Sequence, residues 1–265
     1  MTILNEPKPY SNKTKKLKQS GQPSERVIMG KKIFMDPLSL FSHELKTPIS
    51  SLKLALDLIK KNQTSPQDKQ ELLHLMDQEI NRMMFFISNT LDLRLLQEKG
   101  DLMRFEWEFW GDIIEQSIKP FELASREKGI QWKIENLNED TEVFMDSLWI
   151  KQVLNNLISN AFNHSPNNSV IIISSHVTPS GSLRLSVKDE GTGVPPEEKK
   201  RLFEAFYKKQ TKTGGFFKNT GLGLAIAYAI IKKHQGVMDL LSSEEGQGTL
   251  FYFELPKIRQ SKKTA

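Results

Sequence analysis

The stretch FSHELKTP at residues 41–48 decides how the first half of this 265-residue chain folds. At about 100° per residue on a helix, the apolar side chains in and around this stretch fall into one stripe: Leu38, Phe41, Leu45, Ile49, Leu52, Leu56 and Ile59. That stripe lies roughly 160–240° from His43, on the opposite side of the helix. We therefore predict a helix that buries its apolar face and exposes His43, with Thr47 on the exposed side.

The composition indicates a globular protein of one or two domains, because 38% of the residues are hydrophobic and 26% are charged. No apolar stretch approaches the ~18–20 residues that span a membrane, and the first residues lack the pattern of a signal peptide. The chain has no cysteine, which excludes disulfides and thiolate metal sites. We expect a cytoplasmic protein without a transmembrane segment.

The formal net charge of +5 is concentrated at the two ends of the chain. Residues 1–33 hold eight basic and two acidic residues, and residues 257–265 hold four basic residues and no acid. We predict disordered basic tails at both ends. Contact with a membrane surface or with nucleic acid is the alternative. We expect no nucleic-acid partner, since no aromatic series alternates with the lysines as a single-strand binding platform requires.

Two helices are predicted between residues 34 and 99. Asp36-Pro37 resembles a helix start, and the first helix should reach about Lys61. After a turn at 62–65, the segment 65–68 resembles a capping box. The second helix carries a heptad seam: Leu73, Met76, Ile80, Met83, Ile87, Leu91 and Leu95. Two helices that each carry a single apolar stripe cannot enclose a hydrophobic core by themselves. We therefore predict a homodimer that forms a four-helix bundle. A monomeric hairpin packed on the rest of the chain is the alternative.

The pattern changes after residue 101, where helical and strand-like segments alternate. Helices are predicted at 110–128, 147–162 and 221–234, and strands at 130–135, 142–145, 170–176, 183–188, 237–242 and 249–255. A hairpin turn is expected at 179–181. Residues 101–256 therefore indicate an α+β domain with a mixed, mostly antiparallel sheet and helices on one face. The whole chain is predicted to be multi-domain.

Two segments of this second half carry side chains suited to a phosphate-bearing ligand. Asn156, Asn160 and Asn163 share one face of a predicted helix, where asparagine is otherwise unfavourable. An amide oxygen is a ligand that suits magnesium already bound to phosphate. The segment DEGTGVP at 189–195 follows a strand, so its carboxylate can accept a hydrogen bond from an exocyclic amine. Its glycines allow the backbone to approach a planar base closely.

A lysine-rich loop and a helix start complete this constellation. Residues 207–220 are small, polar and basic, which suits a lid over phosphates or an ordinary surface loop. The loop ends in NTGLG at 219–223, where a helix begins. The free backbone amides at a helix start bind anions.

Together these motifs resemble a sensor histidine kinase of two-component systems. FSHELKTP resembles the histidine box of the dimerisation and phosphoacceptor domain. LNNLISNAFNHSP (154–166), DEGTGVP (189–195), FEAF (203–206) and GLGLAIA (221–227) resemble the asparagine box, first glycine box, phenylalanine motif and second glycine box of the ATPase domain shared with gyrase, Hsp90 and MutL. The resemblance covers residues 34–256 and includes five motifs in family order.

The resemblance implies an ATP and Mg²⁺ site between the asparagine helix and the lid. Asp189 would bind the adenine amine, Asn160 would bind magnesium, and the remaining nucleotide contacts would come from Asn156, Asn163, His164, Gly191, Gly193, Lys212, Thr220, Gly221, Leu222 and Gly223. Two departures from the family pattern stand out. Asn163 occupies a position where the family often has Lys or Arg, and Asn219 one where the family commonly has glycine.

The resemblance also implies roles for the histidine box. His43 would be the phosphoacceptor, Glu44 would orient its ring and accept its proton, and Thr47 would position water for dephosphorylating a partner. Pro48 should bend the helix near His43. The partners implied are a second copy of the chain, the receiver domain of a response regulator and a separate sensor protein. The alternatives are a weakly catalytic ATP-binding scaffold, a gyrase- or Hsp90-like ATPase and a kinase in which phosphatase action dominates.

Overall fold

Two long helices form a hairpin at the start of the structure, a computed structural model that describes residues 37–61, 65–98, 103–135, 141–207, 221–243 and 247–260. Helix α1 spans Pro37–Lys60 and helix α2 spans Pro66–Gln97. At the start of α2, Ser65 Oγ accepts a hydrogen bond from the Asp68 backbone N–H at 3.1 Å, which supports the predicted capping box. The predicted tail at 1–33 and Asp36 lie outside the described residues.

One face of α1 packs against α2. The rings of Phe41 and Phe86 stack with their centroids 5.3 Å apart, and Pro48 is buried one to two turns further along α1. His43 and Thr47 are exposed, as the sequence predicts. The prediction of a single buried stripe is wrong for Ile49 and Leu56, which are 50% and 41% exposed. They lie at the edge of the stripe, where α2 does not cover them.

The predicted seam of α2 faces away from α1. Within the chain, five of its seven members are exposed while Met76 and Met83 are half-buried: Leu73, Ile80, Ile87, Leu91 and Leu95. The hairpin thus has more apolar surface than its own two helices can cover. Over the described ranges, no helix combines the length and apolar character that crossing a membrane requires.

The second half of the described chain contains strands in two sheets. The strands are β1 Glu106–Phe109, β2 Gln131–Glu135, β3 Thr141–Met145, β4 Val170–Val177, β5 Leu183–Lys188, β6 Val237–Ser243, β7 Thr249–Leu255 and β8 Ile258–Gln260. The larger sheet has the order β2-β4-β5-β7-β6. Strand β2 pairs parallel with β4, and the other neighbours pair antiparallel. The predicted mixed, mostly antiparallel sheet is confirmed.

The smaller sheet, in the order β1-β3-β8, differs from the prediction of a single sheet. Its outer strands β1 and β8 fall in segments for which the sequence pattern predicted no strand, and β8 lies within the predicted basic tail. A side-chain pair holds β8 in place, since Arg259 Nε and Nη2 donate to the Glu142 carboxylate at 2.7 and 2.9 Å. The Arg259 guanidinium also lies over the Trp107 ring of β1, 4.4 Å from its centroid.

The remaining helices follow the predictions with one interruption. They are α3 Trp110–Ile118, α4 Glu122–Lys128, α5 Ser147–His164 and α6 Gly223–Lys233, with a turn of 3₁₀ helix at Lys119–Phe121 between α3 and α4. The sequence pattern predicted one helix over 110–128. Pro120 interrupts it because proline has no N–H to donate to the carbonyl of residue 116.

The core lies between α5, α6 and one face of the larger sheet. Fully buried residues of the two helices face fully buried residues of the central strands: Leu157, Ile158, Ile226 and Ile230 on the helices, and Ile171, Ile173, Leu185 and Phe253 on the strands. Trp110 meets Phe253 edge-on, with centroids 5.9 Å apart. This packing fixes α5 and α6 relative to the strand ends.

A buried polar junction joins the connection after the hairpin to α5 and α6. Asp146 caps α5 by accepting hydrogen bonds from the N–H groups of Leu148 and Trp149, and its second oxygen accepts the Arg104 N–H at 2.7 Å. The Asp146 N–H donates to His234 Nε2 at 3.1 Å, and His234 Nδ1 lies 2.9 Å from the Ile230 carbonyl. His234 is therefore neutral, with its proton on Nδ1.

The hairpin also touches the second half through polar contacts. Gln152 of α5 donates to the Asp92 carboxylate of α2 at 2.8 Å, and the Lys233 ammonium donates to the Glu98 carbonyl at 3.3 Å. Helix α6 packs along α2.

The His234 junction makes stability depend on pH. Burial lowers the pKa of His234 below its ordinary value of 6.5, so the unfolded chain binds the proton more readily than the folded chain. The stabilisation is complete above pH 6.5 and is lost as the pH falls below that value. We expect His234→Gln to lower the free energy of unfolding at pH 7 by about 1–3 kcal/mol and to weaken its fall between pH 7 and 5, measured by urea unfolding.

His176→Gln is the matched control, because His176 is exposed on β4. It should leave both the stability at pH 7 and the acid dependence unchanged. An acid dependence that is the same in His234→Gln and wild type would contradict the prediction.

Candidate functional site

The three predicted asparagines lie on the second half of α5 and are each half-buried. Asn163 Nδ2 donates to Ser159 Oγ at 3.4 Å. Asn156 Nδ2 is buried and has no hydrogen-bond partner among the described residues. A buried amide N–H without a partner carries a desolvation cost, so this atom is suited to meet an acceptor that a ligand brings.

Asp189 is a buried carboxylate at the end of β5, with only 2% of its surface exposed. Its Oδ1 accepts hydrogen bonds from the backbone N–H groups of Gly191 at 2.8 Å and Thr249 at 3.1 Å. Burial raises the pKa of Asp189 from 3.8 to about 6, although the two N–H donors act in the opposite direction. Thr249 is a site residue that the sequence reasoning missed, because it lies 60 positions further along the chain.

Glycines bring three segments close together around Asp189. A Cβ on Gly191 would lie 2.7 Å from the His164 carbonyl oxygen, and a Cβ on Gly223 would lie 3.1 Å from Asn156 Oδ1. Gly193 and Gly221 adopt φ of 72° and 73°, a backbone conformation that glycine tolerates best. The end of α5, the loop after β5 and the start of α6 therefore lie against one another, and we call the place where these three segments meet the cleft.

A further glycine was not singled out from the sequence. A Cβ on Gly248 would lie 1.9 Å from the Asp189 carbonyl oxygen, and its φ of +84° requires the left-handed region. The segment Gly246-Gln247-Gly248-Thr249 before β7 was the available signal.

The start of α6 offers backbone N–H groups to the same cleft. Leu222 precedes the helix and is buried, and no side chain of the described residues caps the helix. Uncapped N–H groups at a helix start favour an anion. The Phe206 N–H donates to the Gly221 carbonyl at 2.8 Å, which ties together the two ends of the predicted lid. Lys212 and Thr220 lie outside the described residues.

The side chains of this cleft can hold a metal ion only together with a bound molecule that supplies further ligand atoms. No group of three or more His, Asp or Glu side chains capable of holding a metal occurs in the parts of the chain that the structure describes. Asn160 contributes one amide oxygen, so other ligands for magnesium would have to come from phosphate and water.

The histidine-box residues lie on α1, away from the segments that build the cleft. His43 is exposed, Glu44 is half-buried, and Glu44 Oε2 lies 3.8 Å from Arg82 Nη2 on α2. Thr47 Oγ1 donates to the His43 carbonyl at 3.4 Å. The structure thus holds a phosphoacceptor candidate and a ligand cleft on two different domains.

A separate cavity of about 310 Å³ lies at the opposite end of α5, lined by Arg104, Glu106, Glu108, Met145, Asp146, Ser147, Leu148 and Trp149. Asn160 is 13 residues further along the helix than Ser147, a rise of roughly 20 Å. The cavity therefore belongs to the junction between the domains and not to the cleft around Asp189.

Two family models match the chain. Residues 38–99 match the His Kinase A (phospho-acceptor) domain, and residues 145–259 match the histidine kinase-, DNA gyrase B- and HSP90-like ATPase. The catalytic domain of the histidine kinase ThkA is 32% identical, with a TM-score of 0.51 over 58% of this chain and 97% of that one. The chain therefore belongs to the histidine kinase family.

Other relatives extend over both domains. The sensor histidine kinase WalK of Bacillus subtilis (strain 168) is 33% identical over 81% of this chain and 35% of its own length. A structure of ThkA in complex with the response regulator protein TrrA is 27% identical, with a TM-score of 0.68 over 83% of this chain and 60% of that one. The chain spans about a third of the length of the curated relatives it matches.

The buried charge of Asp189 leads to a test by stability. A rise in pKa from 3.8 to about 6 disfavours the folded, ionised state by about 3 kcal/mol. The destabilisation is complete above pH 6 and disappears below pH 3.8, where both states are protonated. Asp189→Asn keeps an acceptor for the two backbone N–H groups, so we expect it to raise the free energy of unfolding at pH 7 by up to about 3 kcal/mol.

Urea unfolding at pH 7 and pH 4 measures this effect. The gain should shrink strongly at pH 4, and Asp57→Asn, at an exposed position of α1, should show no gain at either pH. A variant that is less stable than wild type at pH 7 would contradict the prediction.

Proposed function

We propose that this chain is an ATP-dependent histidine kinase that phosphorylates His43 and passes the phosphoryl group to an aspartate of a separate response regulator. The observation that carries the proposal is the combination, in one chain, of an exposed His43 followed by a half-buried Glu44 with a glycine-lined cleft around a buried carboxylate. The alternative of a gyrase- or Hsp90-like ATPase does not account for the histidine box.

The cleft supports ATP as the phosphoryl donor. We assign the adenine amine to Asp189, whose position between two backbone donors keeps its carboxylate oriented. The unpartnered N–H of Asn156 and the start of α6 would hold phosphate oxygens. Asn160 would ligate Mg²⁺, which neutralises charge on the phosphates when bound. We also include Asn163, His164, Lys212 and Thr220 in the nucleotide site.

His43 and Glu44 would carry out the chemistry on α1. A neutral imidazole nitrogen of His43 attacks the γ-phosphorus, and the bond from that phosphorus to the oxygen of the leaving ADP breaks. The proton on the other ring nitrogen then passes to the Glu44 carboxylate. Positioning dominates this reaction, since phosphoryl transfer needs little covalent help from the protein.

A receiver domain is the proposed acceptor of the phosphoryl group. The related ThkA has been crystallised with the response regulator TrrA. Thr47 lies one helical turn beyond His43 on the same exposed face, where it can reach a protein docked on His43. We therefore propose that Thr47 positions water when the chain dephosphorylates its regulator.

The hairpin supports a homodimer. A row of exposed apolar residues runs along α2, and Ile49 and Leu56 of α1 are exposed as well. Monomeric proteins rarely expose a contiguous apolar surface of this length. A second hairpin packed on this row would form a four-helix bundle.

Labelling with γ-labelled ATP and magnesium tests the kinase proposal. We expect acid-labile, alkali-stable label on the wild-type protein and none on His43→Gln, because the acceptor nitrogen is lost. His74→Gln is the control, since His74 is also exposed on the hairpin and should be labelled normally.

Failure has two distinct forms in this experiment. ATP binding without any label on the wild type would favour the catalytically weak scaffold, with Asn163 and Asn219 as the first positions to restore. Label that persists in His43→Gln would contradict His43 as the acceptor. Measuring loss of phosphate from a phosphorylated regulator would show whether phosphatase activity dominates.

Charges placed in the apolar row test the dimer. We expect Ile80→Glu with Ile87→Glu to convert a dimer to a monomer in sedimentation, because burying two carboxylates per chain is unfavourable. Leu148→Glu is the control, since Leu148 is 77% exposed outside the row. Deleting residues 1–30 should also leave the dimer intact. A double variant that sediments as wild type would contradict the assignment.

A further inference from the structure

An arginine on α2 lies between two carboxylates next to the phosphoacceptor. Arg82 Nη2 is 3.8 Å from Glu44 Oε2 on α1, and Arg82 Nη1 is 3.4 Å from Glu79 Oε2 one turn back on α2. One guanidinium thus serves two acids, one on each helix. Neither Arg82 nor Glu79 belongs to any of the five sequence motifs.

The group is partly shielded from water. The side chains of Arg82, Glu44 and Glu79 are 19%, 21% and 18% exposed. Ion pairs at this depth are screened less than pairs on an open surface. The Arg82–Glu44 distance of 3.8 Å is longer than a hydrogen bond, so Arg82 attracts the Glu44 carboxylate toward α2 by charge.

The neighbouring packing fixes the register of the two helices. Phe86, one turn after Arg82 on α2, stacks on Phe41, one turn before Glu44 on α1. The aromatic stack and the ion pair therefore bracket the backbone that carries His43. A shift of one helix along the other would break both contacts.

We propose that Arg82 is a positioning residue for phosphorylation of His43, acting through Glu44; this rests on the proposed kinase function. Arg82 keeps the Glu44 carboxylate close to α1, in the same helical turn as the His43 imidazole. A carboxylate accepts several hydrogen bonds, so the pair with Arg82 leaves it able to accept the ring N–H. The proton that leaves the imidazole when the N–P bond forms goes to Glu44.

Glu79 sets how strongly Arg82 holds Glu44. With Glu79 present, the guanidinium is shared and Glu44 keeps some freedom to turn toward His43. Removing the Glu79 charge leaves the whole cation to Glu44. The ion pairs here join Glu44 on α1 with Arg82 and Glu79 on α2, and His43 directly precedes Glu44 in the chain.

Autophosphorylation rates of the full chain over a range of ATP concentrations, which give kcat and KM, test the proposal. Arg82→Gln should lower kcat about tenfold while KM for ATP stays within twofold, since the cleft is untouched. Arg82→Lys should recover part of the rate, because it restores the charge that attracts Glu44.

Two further variants separate positioning from general stability. Glu79→Gln leaves the Arg82 cation to Glu44 alone and should lower kcat less than Arg82→Gln, since the Arg82–Glu44 pair remains. Arg94→Gln removes an exposed ion pair within α2, 3.7 Å from Glu98, and should leave the rate unchanged. Circular dichroism and sedimentation establish that each variant keeps its helices and its oligomeric state.

The outcomes are distinguishable. A labelled wild type with an equally active Arg82→Gln, or an Arg82→Gln whose loss lies in KM for ATP and not in kcat, would overturn the role of Arg82 alone. A rate loss that Arg82→Lys does not relieve and that accompanies loss of helix would mean that Arg82 is only structural. A wild type without any label would instead overturn the kinase function, and with it this proposal.

Discussion

The carboxylate of Asp146 joins parts of the chain that are far apart in sequence. It accepts three backbone N–H groups, two at the start of α5 and one from Arg104, 42 residues earlier. The backbone N–H of Asp146 donates to Nε2 of His234, 88 residues later. Helix α5 carries the asparagines and α6 begins at the glycine pair, so this one cap orients both helices of the cleft. It also anchors the segment through which the hairpin is attached.

Much of the architecture follows from local sequence patterns. The strands of the larger sheet and helix α5 lie within about two residues of their predicted bounds, because each has a clear period and turn residues at its ends. Strand β1 was missed because it runs directly into the helix predicted from residue 110, and β8 because its three residues lie in the segment assigned to the basic tail. Pro120 was visible in the sequence, but its effect on a continuous apolar pattern was overlooked.

The site was predictable to the extent that its residues lie in contiguous motifs. Asp189, Gly191 and Gly193 follow one strand, and Asn156 and Asn160 share one helix face. Thr249 and His234 act through contacts with residues 60 and 88 positions away, and no local pattern reports such contacts. The Glu44–Arg82 pair has the same origin, since it depends on the register of two helices.

Two kinds of contact in the second half of the described chain differ in depth: a buried junction that links α5 and α6, and polar contacts that both helices make with α2. At the junction, His234 and Asp146 are buried and hydrogen-bonded on both sides. Along α2, the polar contacts from Gln152 and Lys233 lie at half-exposed or exposed positions, where water can replace them at little cost in free energy. Phe86 and Leu96 of α2 are also buried, in the same apolar core as α5 and α6. Separating the hairpin from the second half would therefore expose apolar surface as well as break these polar contacts, and the apolar term is the larger obstacle.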